Sequence, residues 1–281
     1  AIRSAAFDVG DRYLEQARAL RAPDPWRSDY VQTLAVTVEG ARAAWLAGDH
    51  DRMEARVAEA AENGRDVLDR VSALEVRIQA RLSQQIFREA LDLTLAALAE
   101  LGLDLPPHPS EEDVGAVLGA TLQALQARSD DDVHRLPMCA DPLVEARMRL
   151  QTGAMSSAYL AEPNLVPILA CHIVQGTLVQ GVCLESPYGF AALGLVLNAV
   201  GQLEAAYHIG GQARDMLERV GDRAIEPRTL HVLAAHVLLF IDPIADCVAL
   251  SKQVARVGLD IGDLEYAAWG LHCEVCNGLY A

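Results

Sequence analysis

Lysine is nearly missing from this chain. Of its 23 basic residues only Lys252 is a lysine, while 39 acidic residues bring the net charge to −16. Gripping a phosphate backbone takes clustered Lys and Arg, and no basic stripe is present, so nucleic acid is excluded as a partner. Anionic membrane surfaces are disfavoured on the same ground. Aromatics are scarce, with four Phe, three Trp and seven Tyr, and β-branched, aromatic-rich runs of strand type are absent. That composition argues against a sheet protein.

Catalytic signatures are missing too. No G-x-x-x-x-G-K-[ST] loop occurs, and Lys252 sits in S-K-Q, so nucleotide hydrolysis is not expected. His134-Arg135-Leu136 lacks the Asp of a kinase catalytic loop, and neither G-x-S-x-G nor H-E-x-x-H is found. The expectation is therefore not an enzyme, with no cofactor and no metal. No charged-then-apolar leader opens the chain. It begins without Met and ends at Ala281 inside a helical pattern, so a piece of a larger protein is expected.

What is abundant is Ala and Leu, within a 52% hydrophobic total that is ample for a core. The six cysteines (Cys139, Cys171, Cys183, Cys247, Cys273, Cys276) are scattered in apolar helical contexts. They read as buried free thiols in a reducing cytoplasm. From Pro163 to Leu203 the only acidic or basic residue is Glu185. Pro167, His172, Gln175, Gln180 and Asn198 interrupt that stretch. It reads as helix buried on several sides rather than as a membrane span.

The clearest pattern is Leu203 to Val220, where Leu203, Ala206, Tyr207, Gly210, Ala213, Leu217 and Val220 form one helical stripe. Only Gly201-Gln202 separates it from the apolar stretch Phe190 to Val200, so the two fold back as a hairpin. About thirteen such helices follow from the periodicity. They run Ala5 to Leu20, Asp29 to Leu46, Asp51 to Glu62, Val67 to Leu82, Arg88 to Leu101, Ser110 to Arg128, Pro142 to Leu160, Leu165 to Gln180, Pro187 to Val200, Leu203 to Val220, Pro227 to Phe240, Pro243 to Ile261 and Leu264 to Tyr280. Arg21 to Trp26 is a break. Asp29 with Gln32 and Ser110 with Asp113 match capping boxes. Asp141-Pro142 and Asp242-Pro243 read as helix starts, and Ser129 to Asp132 as an acidic, solvated turn.

Four return helices align. Met53, Ala90, Ala206 and Cys247 each precede residues four and seven positions on: Val57 and Ala60, Thr94 and Ala97, Gly210 and Ala213, Ser251 and Val254. Small residues there allow close helix crossings. The pattern looks like the second helix of a tetratricopeptide repeat, whose period is about 34 residues. The spacings here are 37 (53 to 90) and 41 (206 to 247), so the repeat is degenerate. An all-α, tetratricopeptide-like array of antiparallel hairpins is expected over 1–281 as one domain. A sub-division into 1–105 and 140–281, joined by 106–139, is the alternative.

Candidate site residues are few. Cys273 and Cys276 share a helix face, but zinc needs two further ligands and no second C-x-x-C supplies them. His231 and His236 are five apart, about 140° around an α-helix, so they cannot chelate one ion unaided. His172, His208, His236 and His272 could converge across stacked helices. Tyr207, His208, His236 and His272 are the candidates for a ligand or partner cleft in the C-terminal half.

Three stretches carry a resemblance: Leu74 to Ser110, Ala158 to Leu165 and Ala255 to His272. Together they resemble the tetratricopeptide-like helical region of large bacterial multidomain signalling proteins. In that family a serine/threonine-kinase-like module and an AAA-type predicted ATPase precede the helices. GAF domains and a histidine kinase, a cyclase or another output module follow. The resemblance implies a cytoplasmic, regulatory, protein-interaction scaffold in signal transduction that contacts neighbouring domains or partner proteins. Homodimerisation is compatible with it. The matched positions are structural, so no functional residue is carried over.

Overall fold

The computed structural model describes residues 7–20 and 23–280. The expected helix start at Ala5 and the first residues of the Arg21 to Trp26 break lie outside them. Among the described residues the chain is all-α, with no strand and a single isolated parallel bridge, Met138 to Val182. It divides after Pro107 into two compact bodies.

The first body holds α1 (Phe7–Ala19), α2 (Pro25–Ser28), α3 (Tyr30–Leu46), α4 (His50–Asn63), α5 (Val67–Ser83) and α6 (Phe87–Glu100). Asp49 and Asp66 cap α4 and α5, accepting from Arg52 N at 3.0 Å and Asp69 N at 2.9 Å. Asp29 stands at the N-cap of α3 as its spacing suggested, but its side chain makes no cap hydrogen bond. It also closes α2, its own N–H donating to Pro25 O at 2.9 Å. Successive helices pack as neighbours, α3 on α4, α4 on α5 and α5 on α6. Val38, Ala41, Ala44, Met53, Val57, Ala60, Ala73, Val76 and Ala80 form the core between them. Among the described residues of this body two charged side chains are buried, Asp11 and Arg56. Arg56 of α4 is bonded to Asp11 at 2.9 Å, to Glu15 and to the Gly40 carbonyl. These partners offset the desolvation of its guanidinium.

The second body begins with α7 (Glu111–Gln126) and α8 (Asp130–His134). Next come α9 (Pro142–Ala161), α10 (Leu165–Gln180), α11 (Ser186–Ala199) and α12 (Leu203–Val220). The last elements are α13 (Glu226–Val232), a π turn at Leu233–Val237, a 3-10 turn at Leu238–Phe240, α14 (Ile244–Ile261) and α15 (Leu264–Gly278). Both Ser110 and Ser129 build capping boxes, with Asp113 and Asp132. The acidic stretch Ser129 to Asp132 is solvated as expected, but it is the start of the short helix α8 rather than a turn. With α2 it raises the expected thirteen helices to fifteen among the described residues. Asp141 caps α9 through Leu143 N at 2.9 Å. Asp242 does not cap α14, because its carboxylate is taken by the Tyr207 hydroxyl at 2.8 Å.

Residues 108–139 belong to the second body, where α7 packs on α10 and α8 on α12. The charge-poor stretch from Pro163 is interior: Leu169, Ile173, Phe190, Leu193 and Leu197 are fully enclosed. No helix among the described residues is long and apolar enough to cross a membrane. All twelve aligned small positions, from Met53 to Val254, are buried. The expected helix from Pro227 to Phe240 is broken by the π and 3-10 turns.

Candidate functional site

Tyr207, His208, His236 and His272 go to three places. Tyr207 bonds Asp242, and that bond raises the phenol pKa. His208, the next residue, turns the other way. Its Nε2 lies 2.9 Å from Asp130, which also accepts from Gln212 at 2.8 Å. These residues line a shallow groove of about 470 Å³ between α8 and α12, with His134, Asp215 and Arg219. Arg219 is committed to the carbonyls of His134 and Leu136.

His236 and His272 meet around a third histidine, His231. The rings of His231 and His236 contact edge-on with centroids 5.8 Å apart. An α-helix would splay them. The π turn at Leu233–Val237 widens the coil so that a residue five along returns nearly above the first. His231 also packs against Tyr266 and Trp269 of α15, both at 5.7 Å, and Trp269 against His272 at 5.8 Å. Burial, then the neighbouring His236 and His272, push the His231 pKa down to about 4. Partial desolvation lowers His172, which is half-buried, and His236, although that residue is exposed. Cys273 Sγ approaches His231 Nδ1 at 4.0 Å, and Cys276 Sγ approaches His272 Nε2 at 3.6 Å. Even so, no three His, Cys, Asp or Glu among the described residues are placed to hold a metal ion. The assembly is an aromatic and imidazole stack.

Beside it runs a polar row that local sequence spacing does not reveal. Alternate helices α9, α11, α13 and α15 are neighbours in pairs. On α9, Glu145, Arg149, Thr152 and Ser156 follow four, three and four residues apart, one helical face. Glu145 and Arg149 lie near Glu185, at the start of α11, and Ser156 Oγ donates to Glu265 of α15 at 3.0 Å. Glu185 is 5% exposed, and burial raises its carboxyl to about 7 against the opposing pull of Arg149 and Arg228. Arg228 of α13 donates to Asp263 at 3.1 Å and stands over the Tyr266 ring at 5.2 Å. Tyr266 and Tyr188 are neighbours, and burial raises both phenols.

Within and beside this row lie buried polar atoms that lack a partner: Thr152 Oγ1, Gln151 Nε2 and Arg228 Nε. A buried donor left unmade costs about 1–3 kcal/mol, so such groups mark a place where a further acceptor belongs. Chemically the row offers an acid that titrates near neutrality, two guanidinium groups and two phenols. A cue existed in Glu185, the lone acidic or basic residue of the 41 from Pro163 to Leu203.

No family model, curated protein or solved structure matches the chain.

Proposed function

We propose that this chain is a non-catalytic binding scaffold: a helical array that holds a segment of a neighbouring domain or partner protein and regulates what is attached to it. The observation that carries the reading is the polar row of α9, α11, α13 and α15, with its partnerless buried hydroxyl and amide. Polar groups inside a helical stack lower its stability unless they are paired. Their presence on four successive alternate helices is economical for binding and wasteful for folding. The resemblance to tetratricopeptide-like regions of bacterial signalling proteins points the same way, and a regulatory place in such a protein is part of the proposal. So is the repeat relationship of the hairpins.

The test is selection of peptides from a displayed random library on the immobilised chain. Binders that lose at least tenfold in affinity with Arg228→Ala, and are indifferent to the exposed Arg135→Ala, support the reading. Binders equally insensitive to both, or sustained ATP turnover that co-purifies with the chain, would sink it.

A further inference from the structure

Two segments meet at the isolated bridge of the second body. Cys139 N donates to Val182 O at 2.9 Å, and Val182 N donates to Pro137 O at 2.8 Å. The approach depends on Gly181, held at φ +102°, where an added Cβ would stand 2.5 Å from Pro137 O. Cys139 and Cys183 each lie one residue past the bridged pair Met138 and Val182. In a parallel pairing such residues are side by side on one face, with strands about 4.8 Å apart. A disulfide needs Cα atoms about 4.4–6.8 Å apart, so the backbone is already in range. Burial first, and then the neighbouring Cys139 thiol, raises the Cys183 pKa. Cys183 is buried and Cys139 half-buried, so a small oxidant reaches Cys139 first.

We propose that Cys139 and Cys183 form a reversible intramolecular disulfide when the chain meets a peroxide. The Cys139 thiolate attacks one oxygen of hydrogen peroxide, the O–O bond breaks, and hydroxide leaves a sulfenic acid on Cys139. Cys183 sulfur then attacks Cys139 sulfur. The S–S bond forms, the S–O bond breaks, and the departing hydroxide takes up the Cys183 proton as water. In sum two thiols and one peroxide give one disulfide and two waters. Burial holds the Cys183 proton tightly, which slows the second step and makes it faster at alkaline pH. The backbone pairing of the two segments compensates, because the attack is intramolecular. The bond ties the α8–α9 connection to the α10–α11 connection, two residues before Glu185. Cys273 and Cys276 are the internal comparison, since their i, i+3 placement on an intact helix gives no such backbone pairing.

The full reduced chain, freed of reductant, is treated with hydrogen peroxide, alkylated and digested. The expected product joins the Cys139 and Cys183 peptides with loss of two hydrogens and is split by dithiothreitol. Cys139→Ser, at the more exposed position, abolishes it. Cys183→Ala leaves a sulfenic acid on Cys139 that dimedone traps. The oxidised wild type unfolds at a higher temperature than the reduced, and dithiothreitol reverses the shift. Conversion of wild-type Cys139 to sulfinic acid while Cys183 stays reduced, or a bond from either residue to another cysteine, overturns the proposal.

Discussion

Glu185, buried, and His231, half-buried, hold their protons in opposite senses, and their effects on stability can be separated. For Glu185 the folded value, about 7, lies above the ordinary 4.5. Its contribution is complete below pH 4.5 and is lost as pH rises toward 7. For His231 the folded value, about 4, lies below 6.5. Its contribution is complete above 6.5 and is lost as pH falls toward 4. Each spans roughly 3 kcal/mol by linkage. Between pH 4.5 and 6.5 the two slopes oppose. Glu185→Gln removes one of them, so urea midpoints of that variant fall more steeply toward acid than those of the wild type. A constant offset across the pH series would show that Glu185 is not held protonated by the fold.

Among elements, the glycines of the last hairpin give a sharp contrast. Where α14 crosses α15, a Cβ on Gly270 would stand 2.5 Å from Ala255 N and 2.8 Å from Ser251 O. Both are backbone atoms, so the helices themselves would have to part. Gly270→Ala is expected to destabilise by about 1–3 kcal/mol. Gly119 of α7 has open space around it, and Gly119→Ala is expected to stabilise by about 0.5–1 kcal/mol. Thermal midpoints moving in the same direction would refute this account of the crossing. Much at this scale was legible in the sequence. Ser110 with Asp113 and Asp141-Pro142 marked real helix starts, and the Gly201-Gln202 turn stands where expected. These are local devices, read within a few residues. Helix α8 was missed because no apolar run follows its capping box. Asp242 misled because a side chain from another helix claims its carboxylate. The polar row was illegible for a similar reason: its members run from Glu145 to Tyr266, and only packing brings them together.

For the whole molecule, the division after Pro107 has a direct consequence. The second body owns the enclosed core of α10 and α11, the histidine stack and the polar row. Residues 108–281 expressed alone are expected to be helical and to unfold cooperatively. Circular dichroism with denaturant titration checks this, and a broad, non-cooperative loss of signal would mean that the body cannot stand by itself. The four residues nominated from sequence all fall within it. Two of them, His236 and His272, flank the His231 stack, while Tyr207 and His208 serve other contacts.

The π turn at Leu233–Val237 can also be seen as a helix carrying one residue too many. Were the coil an ordinary α-helix at the same spacing of five, His231 and His236 would face about 140° apart. The meeting of the histidines is then a matter of phase rather than composition. A single-residue insertion between them separates the rings while every residue of the stack stays in the sequence, whereas a deletion sets them four apart, still on one helical face. Changes of spacing, more than substitutions, decide whether these histidines meet.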